Sequence, residues 1–378
     1  MRKILFIVFL VLPFCALSQN GKIKKKIQEI LETAYKVDSV YQSRETFRTD
    51  AFWDFGVFHV GNLEFCKHTG NKQLLDYTIR WAEHNNWQGA KEPNPMRWHY
   101  RTPLRVEQNV MFADYQICFQ VYLDLNEKDP DEKKTKRAFE VFNYQTSLNL
   151  NDYWYWMDAL FMAMPSMSRL YAQSKNGMYL DKMFEYFSFF DSQFYDKEAH
   201  LYYRDKKYKY PYCRSPKSGG KLFWSRGNGW VIASFARVFE HLPDTSRYKK
   251  VFLDRFTAMA DTLKNLQKPE GYWQNCLSDN LLTPGYETSG TALILYALCY
   301  GVNSGILDRK TFFPAIEKAW EYLSKIAVQE NFTVGYIFTT PERNCYFYDP
   351  NPKTHTNYGT GCFLLAATEY AKFLKNRK

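Results

Sequence analysis

The sequence predicts an all-α protein built as a toroid of six helical hairpins, and three observations carry that prediction. About twelve helix-length apolar segments follow one another along the chain. They alternate between segments apolar on nearly every face and segments apolar along one stripe. Two concentric rings demand that pattern, the inner ring buried on both sides and the outer on one. Strand-like alternation is confined to short pieces such as 335–338. With 378 residues, 46% of them hydrophobic, the chain can fill a large core. No linker or shift of composition divides it, so a single domain is expected over 19–378.

Taken in order, 23–41 carries apolar residues near every third or fourth position. Segment 52–66 (FWDFGVFHVGNLEFC) is an apolar helical run, and 74–87 (LLDYTIRWAEHNNW) is amphipathic. Pro103 and its polar neighbours make 97–107 a loop. Segment 110–125 (VMFADYQICFQVYLDL) is apolar on nearly all faces, and 135–144, 153–171 and 181–194 continue the alternation. A polar stretch over 196–220, with Pro211, Pro216, Gly219 and Gly220, interrupts it. Loops of that length are functional or disordered, and Tyr202, Tyr203, Arg204 and Tyr208 argue for function. Helices resume at 229–242, 248–266, 288–300, 311–328 and 361–374. In 311–328, Phe313, Ile316, Trp320, Leu323 and Ile326 form the stripe, Asp308 or Thr311 can cap the start, and Pro314 is tolerated in the first turn.

Arg2 and Lys3 precede an apolar run over 4–12, and Ala16, Leu17 and Ser18 offer small residues for cleavage before Gln19. This predicts a signal peptide over 1–18, too short for a membrane span, and an exported protein, periplasmic or secreted. Phe14 is too bulky for lipidation of Cys15, and no later segment has the roughly 18 apolar residues of a spanning helix. The net charge is +10, with KIKKK at 22–26 and KKYK at 206–209. An exported chain rarely meets nucleic acid, so the basic surface suits an anionic polysaccharide, unless it is a solvated face with no partner. The eight cysteines, an odd number once Cys15 leaves, include no C-x-x-C pair, and Cys118 and Cys299 read as small hydrophobes in apolar windows. Neither a disulfide framework nor a zinc spacing is expected. Ten Trp and 29 Tyr supply flat faces for sugar stacking as well as for packing. Nothing in the sequence sets the oligomeric state.

Chemistry concentrates around NDYWYWMDALFMAMP at 151–165. Helical spacing puts Trp154, Asp158, Phe161 and Met162 on one face. A carboxylate there must be paired, hydrogen-bonded or protonated with a raised pKa, and the last describes a general acid. The alternative is a buried Asp that braces a neighbouring element. Asp114 is a second carboxylate in an apolar helical segment. In FWSRGNGW at 223–230, Arg226 and Asn228 sit between glycines before an apolar helix, where a guanidinium fork and the helix dipole favour an anion. GYETSG at 285–290 is a similar loop-to-helix junction. Taken singly, each is ordinary turn and cap chemistry. Together they describe a sugar-acid pocket with two acids and one arginine.

WMDALFMAMP, FWSRGNGW, GYETSGTALILYAL and the late GTGCFLLA, in that order, resemble the signature segments of the unsaturated uronyl hydrolases of glycoside hydrolase families 88 and 105, family 105 more closely. The resemblance covers roughly 114–374. It implies an (α/α)6 barrel that removes a Δ4,5-unsaturated uronic acid from the non-reducing end of lyase-generated oligosaccharides by hydrating the vinyl ether, with neither metal nor organic cofactor. It implies the acid/base role for Asp158. For Asp114 it implies orienting the sugar hydroxyls or sharing the proton. Arg226, Asn228 and Trp230 would form the pocket, and Trp154 with Tyr202 or Tyr203 would stack on sugar. Two departures argue against a pectic substrate: in Tyr202-Tyr203-Arg204-Asp205, Arg204 stands in place of a His that pectin-active members carry, and Tyr115 follows Asp114 where the family repeats Asp. With Arg204, Lys206, Lys207, Arg214 and Lys217 in the long loop, a sulfated ulvan fragment is favoured, an unsaturated uronate joined to 3-sulfated rhamnose. Pectic rhamnogalacturonan or arabinogalactan fragments stay open as substrates. A polysaccharide lyase on a similar toroid, or an exported glycan-binding protein with no need of Asp158, is the competing class.

Overall fold

The computed structural model describes residues 12–101, 105–339 and 350–376. Among these, twelve α-helices follow in order: α1 (Leu12–Arg44), α2 (Trp53–Thr69), α3 (Lys72–His84), α4 (Cys118–Lys128), α5 (Glu132–Ser147), α6 (Asp158–Ser174), α7 (Met178–Phe194), α8 (Ser225–Phe239), α9 (Lys249–Leu266), α10 (Thr288–Asn303), α11 (Arg309–Tyr322) and α12 (Asn357–Lys375). The even-numbered helices pack on one another in chain order, and α12 closes on α2. They are the expected inner ring. In α10 every residue from Thr288 to Cys299 is buried, whereas α9 buries only the stripe Phe252, Phe256, Met259, Ala260 and Leu263. The architecture is the (α/α)6 barrel, legible because burial on two sides and burial on one leave different apolar patterns.

The ring closes through glycine. A Cβ on Gly61 would lie 2.2 Å from Gly361 O, and one on Gly361 would lie 2.3 Å from Val57 O, so α2 and α12 meet backbone to backbone. The C-terminal ends of the inner helices bury an ionic cluster. Arg169 Nε donates to Asp124 (2.5 Å) and its Nη2 to Glu240 (2.9 Å), while Lys67 pairs with Asp124 (3.3 Å) and Glu64 (3.1 Å). Burial opposes the charge of Asp124, but Arg169, Lys67 and Arg237 outweigh it and hold the carboxyl far below its usual range. Cations also suit the negative ends of the helix dipoles.

Several expected boundaries move. The 110–125 helix begins only at Cys118 and is preceded by a 3-10 turn over Ala113–Tyr115, so Asp114 projects from a turn and not from a helix. Continuous apolar runs bury equally well in turns, so periodicity does not separate the two. Likewise 153–157 is not helical: Trp156 bridges Asp205, Met157 N–H donates to Arg204 O (2.9 Å), and α6 starts at Asp158. Trp154 therefore does not share a helix face with Asp158. Helix α8 begins at Ser225, four residues before the expected 229, and α11 ends at Tyr322 in a π-helical turn over Leu323–Ala327. The strand-like 335–338 is irregular. The strands that form are β1 (Tyr195–Asp196) and β2 (Leu201–Tyr202), a short antiparallel hairpin where the long polar loop was expected to begin. Of the leader expected over 1–18, residues 1–11 fall outside the described residues.

Candidate active site

A cavity of about 1170 Å³ opens at the N-terminal ends of the inner helices. Its wall takes Trp53 from α2, Asp114 from the turn before α4, Asp158 from α6, Arg226 and Gly227 from α8, and Tyr358 from α12. Each helix start offers unsatisfied N–H groups and the positive end of its dipole, so the inner ring turns its anion-attracting side to the cavity.

The glycines of FWSRGNGW make the site possible. A Cβ on Gly227 would overlap the Met157 side chain at 1.6 Å, and one on Gly229 would meet Leu293 Cβ at 3.0 Å. Helix α8 can therefore press against the segment leading into Asp158 on one side and against α10 on the other. Asn228 holds β2: its Oδ1 accepts from Tyr202 N–H (2.8 Å) and its Nδ2 donates to Tyr202 O (3.1 Å). The strand then runs into Arg204 and Asp205, pairs with Trp156–Met157, and brings Arg204 to the charge of Asp114.

Enclosure in the cavity, and then the neighbouring charge of Asp158, push the Asp114 carboxyl well above its ordinary value, with Arg204 pulling it down. The raised value favours the protonated form of Asp114, beside the second acid, Asp158. Burial works against the charge of Arg226, but Tyr358, Glu287 and Asp158 outweigh it and keep the guanidinium firmly cationic. Arg226 Nη1 donates to Phe338 O and to the Tyr358 hydroxyl (3.3 Å). Its Nε and Nη2 have no partner among the described residues. Arg204 pairs with Asp205 and lies over the Tyr208 ring (5.9 Å). The arrangement can bind an anionic sugar and hold a proton at Asp114, beside Asp158, for exchange with the ligand.

Of the residues singled out in the sequence, Asp158, Asp114, Arg226 and Arg204 meet at this cavity. Lys206, Lys207 and Tyr208 of the long loop line it as well, whereas Trp154, Trp230, Asn228, Tyr202, Tyr203 and Arg214 do not. Trp154 is fully buried against Tyr186 (5.5 Å, edge to face), and Trp230 is fully buried against Phe161 (4.8 Å). Asn228 is spent on β2. Tyr203 packs on Phe223, its hydroxyl bonded to Asp196 (2.7 Å), and Tyr202 is bonded to Asp191 (2.6 Å). Arg214 is exposed, its Nε donating to Pro211 O (3.3 Å) and its guanidinium over the Tyr210 ring. The aromatic wall is made by residues the sequence reading passed over: Trp53 tilted on Tyr358 (4.8 Å), Trp156 stacked on Phe112 (4.8 Å), and Trp224. The usable signal was position, since Trp53, Trp224 and Tyr358 stand at or next to the start of an inner helix. Among the described residues one trio, Asp124, Glu127 and His241, brings metal-ligand atoms within 4.8 Å of one another. It lies at the other end of the barrel, with Asp124 already held by Arg169 and Lys67.

A family model described as Glycosyl Hydrolase Family 88 matches residues 22–374. The chain belongs to that family. It is thereby a glycosidase, and the family 88 resemblance carried by its motifs is borne out. This family 88 chain is 28% identical over 340 residues to a Formosa agariphila protein named unsaturated 3S-rhamnoglycuronyl hydrolase, covering 85% of this chain and 84% of that one. A solved family 88 structure from Bacteroides vulgatus is 43% identical, with a TM-score of 0.90 over 92% of this chain and 99% of that one. A solved structure described as a polysaccharide lyase is 42% identical, with a TM-score of 0.90 over 93% and 99%.

Proposed function

We propose that this family 88 glycosidase removes a Δ4,5-unsaturated uronic acid from the non-reducing end of oligosaccharides released by polysaccharide lyases, and that it does so after export. The observation that carries the reading is the pair of acids Asp114 and Asp158 beside Arg226 and Arg204 in one aromatic cavity, with the Asp114 carboxyl raised well above its ordinary value. The vinyl ether of such a sugar takes a proton at C4, which leaves a cation at C5 stabilised by the ring oxygen. Asp158 delivers that proton, and Asp114 shares it or holds the sugar hydroxyls. Water adds at C5 as its own proton passes to the carboxylate. The C5 hemiketal opens to a ketone, and the hemiacetal thus freed at C1 expels the remaining saccharide. No displacement occurs at the anomeric carbon, so the spacing rule for two-carboxylate glycosidases does not apply. Arg226 meets the uronate carboxylate.

The favoured substrate is a sulfated ulvan fragment. Its support is the basic rim of Arg101, Lys206, Lys207 and Lys209 around the cavity, Arg204 within it, and the name of the Formosa agariphila relative. Arg214 and Lys217 drop out of this argument, since neither lines the cavity. The volume exceeds the roughly 300–1,000 Å³ of a small-ligand pocket, which suits an oligosaccharide. The test is the ultraviolet absorbance of the conjugated enol ether, followed with lyase-generated ulvan and pectin fragments in turn. Loss with ulvan fragments alone supports both reaction and substrate. Loss with pectin fragments alone keeps the reaction and removes the sulfate argument. Asp158→Asn and Asp114→Asn should each slow turnover at least a hundredfold, within the roughly 10²–10⁴-fold range of positioned acid–base groups. The 42% identical structure described as a polysaccharide lyase motivates a second reading, in which intact polysaccharide would gain that absorbance.

A further inference from the structure

Glu287 is fully buried, does not line the cavity, and has no part in the chemistry above. A buried carboxylate is costly unless its oxygens are satisfied. Here Oε1 accepts from Ser289 N–H (3.0 Å) and Ser289 Oγ (2.5 Å), and Oε2 accepts from Gly290 N–H (2.7 Å) and Ser225 Oγ (3.3 Å). The Ser289 and Gly290 bonds cap α10. The Ser225 bond crosses to the first residue of α8, next to Arg226. Phe338 N–H also approaches Oε1 (3.5 Å), and Phe338 O is the acceptor that fixes Arg226 Nη1. The carboxylate thus grips both the root of the Arg226 side chain and the loop that anchors its far end. Gly290 makes the junction rigid: a Cβ there would lie 2.7 Å from Arg226 N and 2.8 Å from Glu287 Oε2.

We infer that Glu287 is a positioning residue, holding Arg226 where it meets the substrate carboxylate. The inference rests on the proposed role of Arg226 as the uronate-binding group. A merely structural glutamate would cap α10 and stabilise the barrel whatever stands at 226. A positioning glutamate acts through Arg226 and loses its effect when the guanidinium is gone.

The test is a double-mutant cycle on an unsaturated uronyl disaccharide, with Glu287→Gln, Arg226→Met and the double variant, kcat and KM measured separately. Expected are a fall in kcat/KM of about tenfold for Glu287→Gln, chiefly in KM, and a change under about twofold when the same substitution is made on Arg226→Met. Ser225→Ala, which removes the cross-helix bond and leaves the α10 cap intact, should reproduce the coupling at smaller size, and it carries the test if Glu287→Gln does not fold. Equal losses with and without Arg226 overturn the positioning role alone. If Arg226→Met leaves kcat/KM intact, or the native chain does not turn the disaccharide over, the proposed role of Arg226 falls first and the inference with it.

Discussion

At Asp114 two influences oppose each other, and each can be removed. The charge of Asp158 raises its carboxyl after burial has done so, and Arg204 lowers it. If the reaction draws on the proton held at Asp114, activity requires that group protonated and fails as pH rises through its pKa. Arg204→Gln removes the lowering influence, so the alkaline limb of kcat/KM should move to higher pH; a limb that stays put or moves down excludes Asp114 as the titrating group. Asp38 provides a separate test, on stability. Burial lifts its carboxyl to about 7, despite bonds from Asn62 (2.8 Å) and Gln42 (3.0 Å). A folded pKa above the unfolded 3.8 means the native state binds the proton more tightly, so stability is highest below pH 4 on this account and declines until about pH 7. Asp38→Asn should remove that decline and stabilise the protein at pH 8 by on the order of a few kcal/mol, provided Gln42 turns its amide to accept. Urea midpoints at pH 5 and pH 8 decide it. Asp158, Asp114 and Arg226 were legible because charged groups in apolar or glycine-framed windows need a reason, and Arg204 because it stands where pectin-active members of the resembled families carry a His. Trp154 and Trp230 were not separable from Trp53 and Trp224, since a tryptophan serves a core and a sugar face by the same flat ring, and only the tertiary direction chooses.

Between elements, the close approaches set what the site can be. The ring of inner helices shuts where Gly61 and Gly361 let α2 and α12 touch. Gly361→Ala puts a methyl 2.3 Å from Val57 O, against backbone that has no rotamer to yield. The cost should be about 1–3 kcal/mol, as for overpacked cores, and visible as a lower denaturation midpoint. Because α2 carries Trp53 and α12 carries Tyr358, kcat/KM should fall as well. Helix existence and order were readable from apolar period, but the starts of α4, α6 and α8 were not. Those starts are where the active residues sit. Asp114 and Asp158 project inward because the chain leaves helical geometry beside them, under long-range contacts such as Met157 N–H to Arg204 O that no local pattern encodes.

Across the whole molecule, the barrel is electrically polar. One end gathers the N-termini of the inner helices with Arg204, Arg226 and a rim of lysines; the other buries Arg169, Arg237 and Lys67 against Asp124, Glu64 and Glu240. The buried end bears on stability. Arg169→Met would leave Asp124 and Glu240 buried without that partner and should cost about 3–5 kcal/mol with little change in kcat/KM of the folded fraction. The open end bears on capture, and salt separates it from the chemistry. The chain carries a net charge of +10, and its rim cations lie close enough to solvent to be screened. Raising ionic strength shortens the Debye length from about 10 Å at 0.1 M to about 3 Å at 1 M. An anionic oligosaccharide drawn in by that field should show a KM that climbs steadily over this range. Asp114 and Asp158 sit inside the cavity, where screening is weak, so kcat should hold. Initial rates on an unsaturated uronyl oligosaccharide at graded sodium chloride test this directly. A salt-independent KM would mean that the lysine rim takes no part in capture, and a kcat that falls with salt would mean that the carboxyl pair lies open to solvent ions.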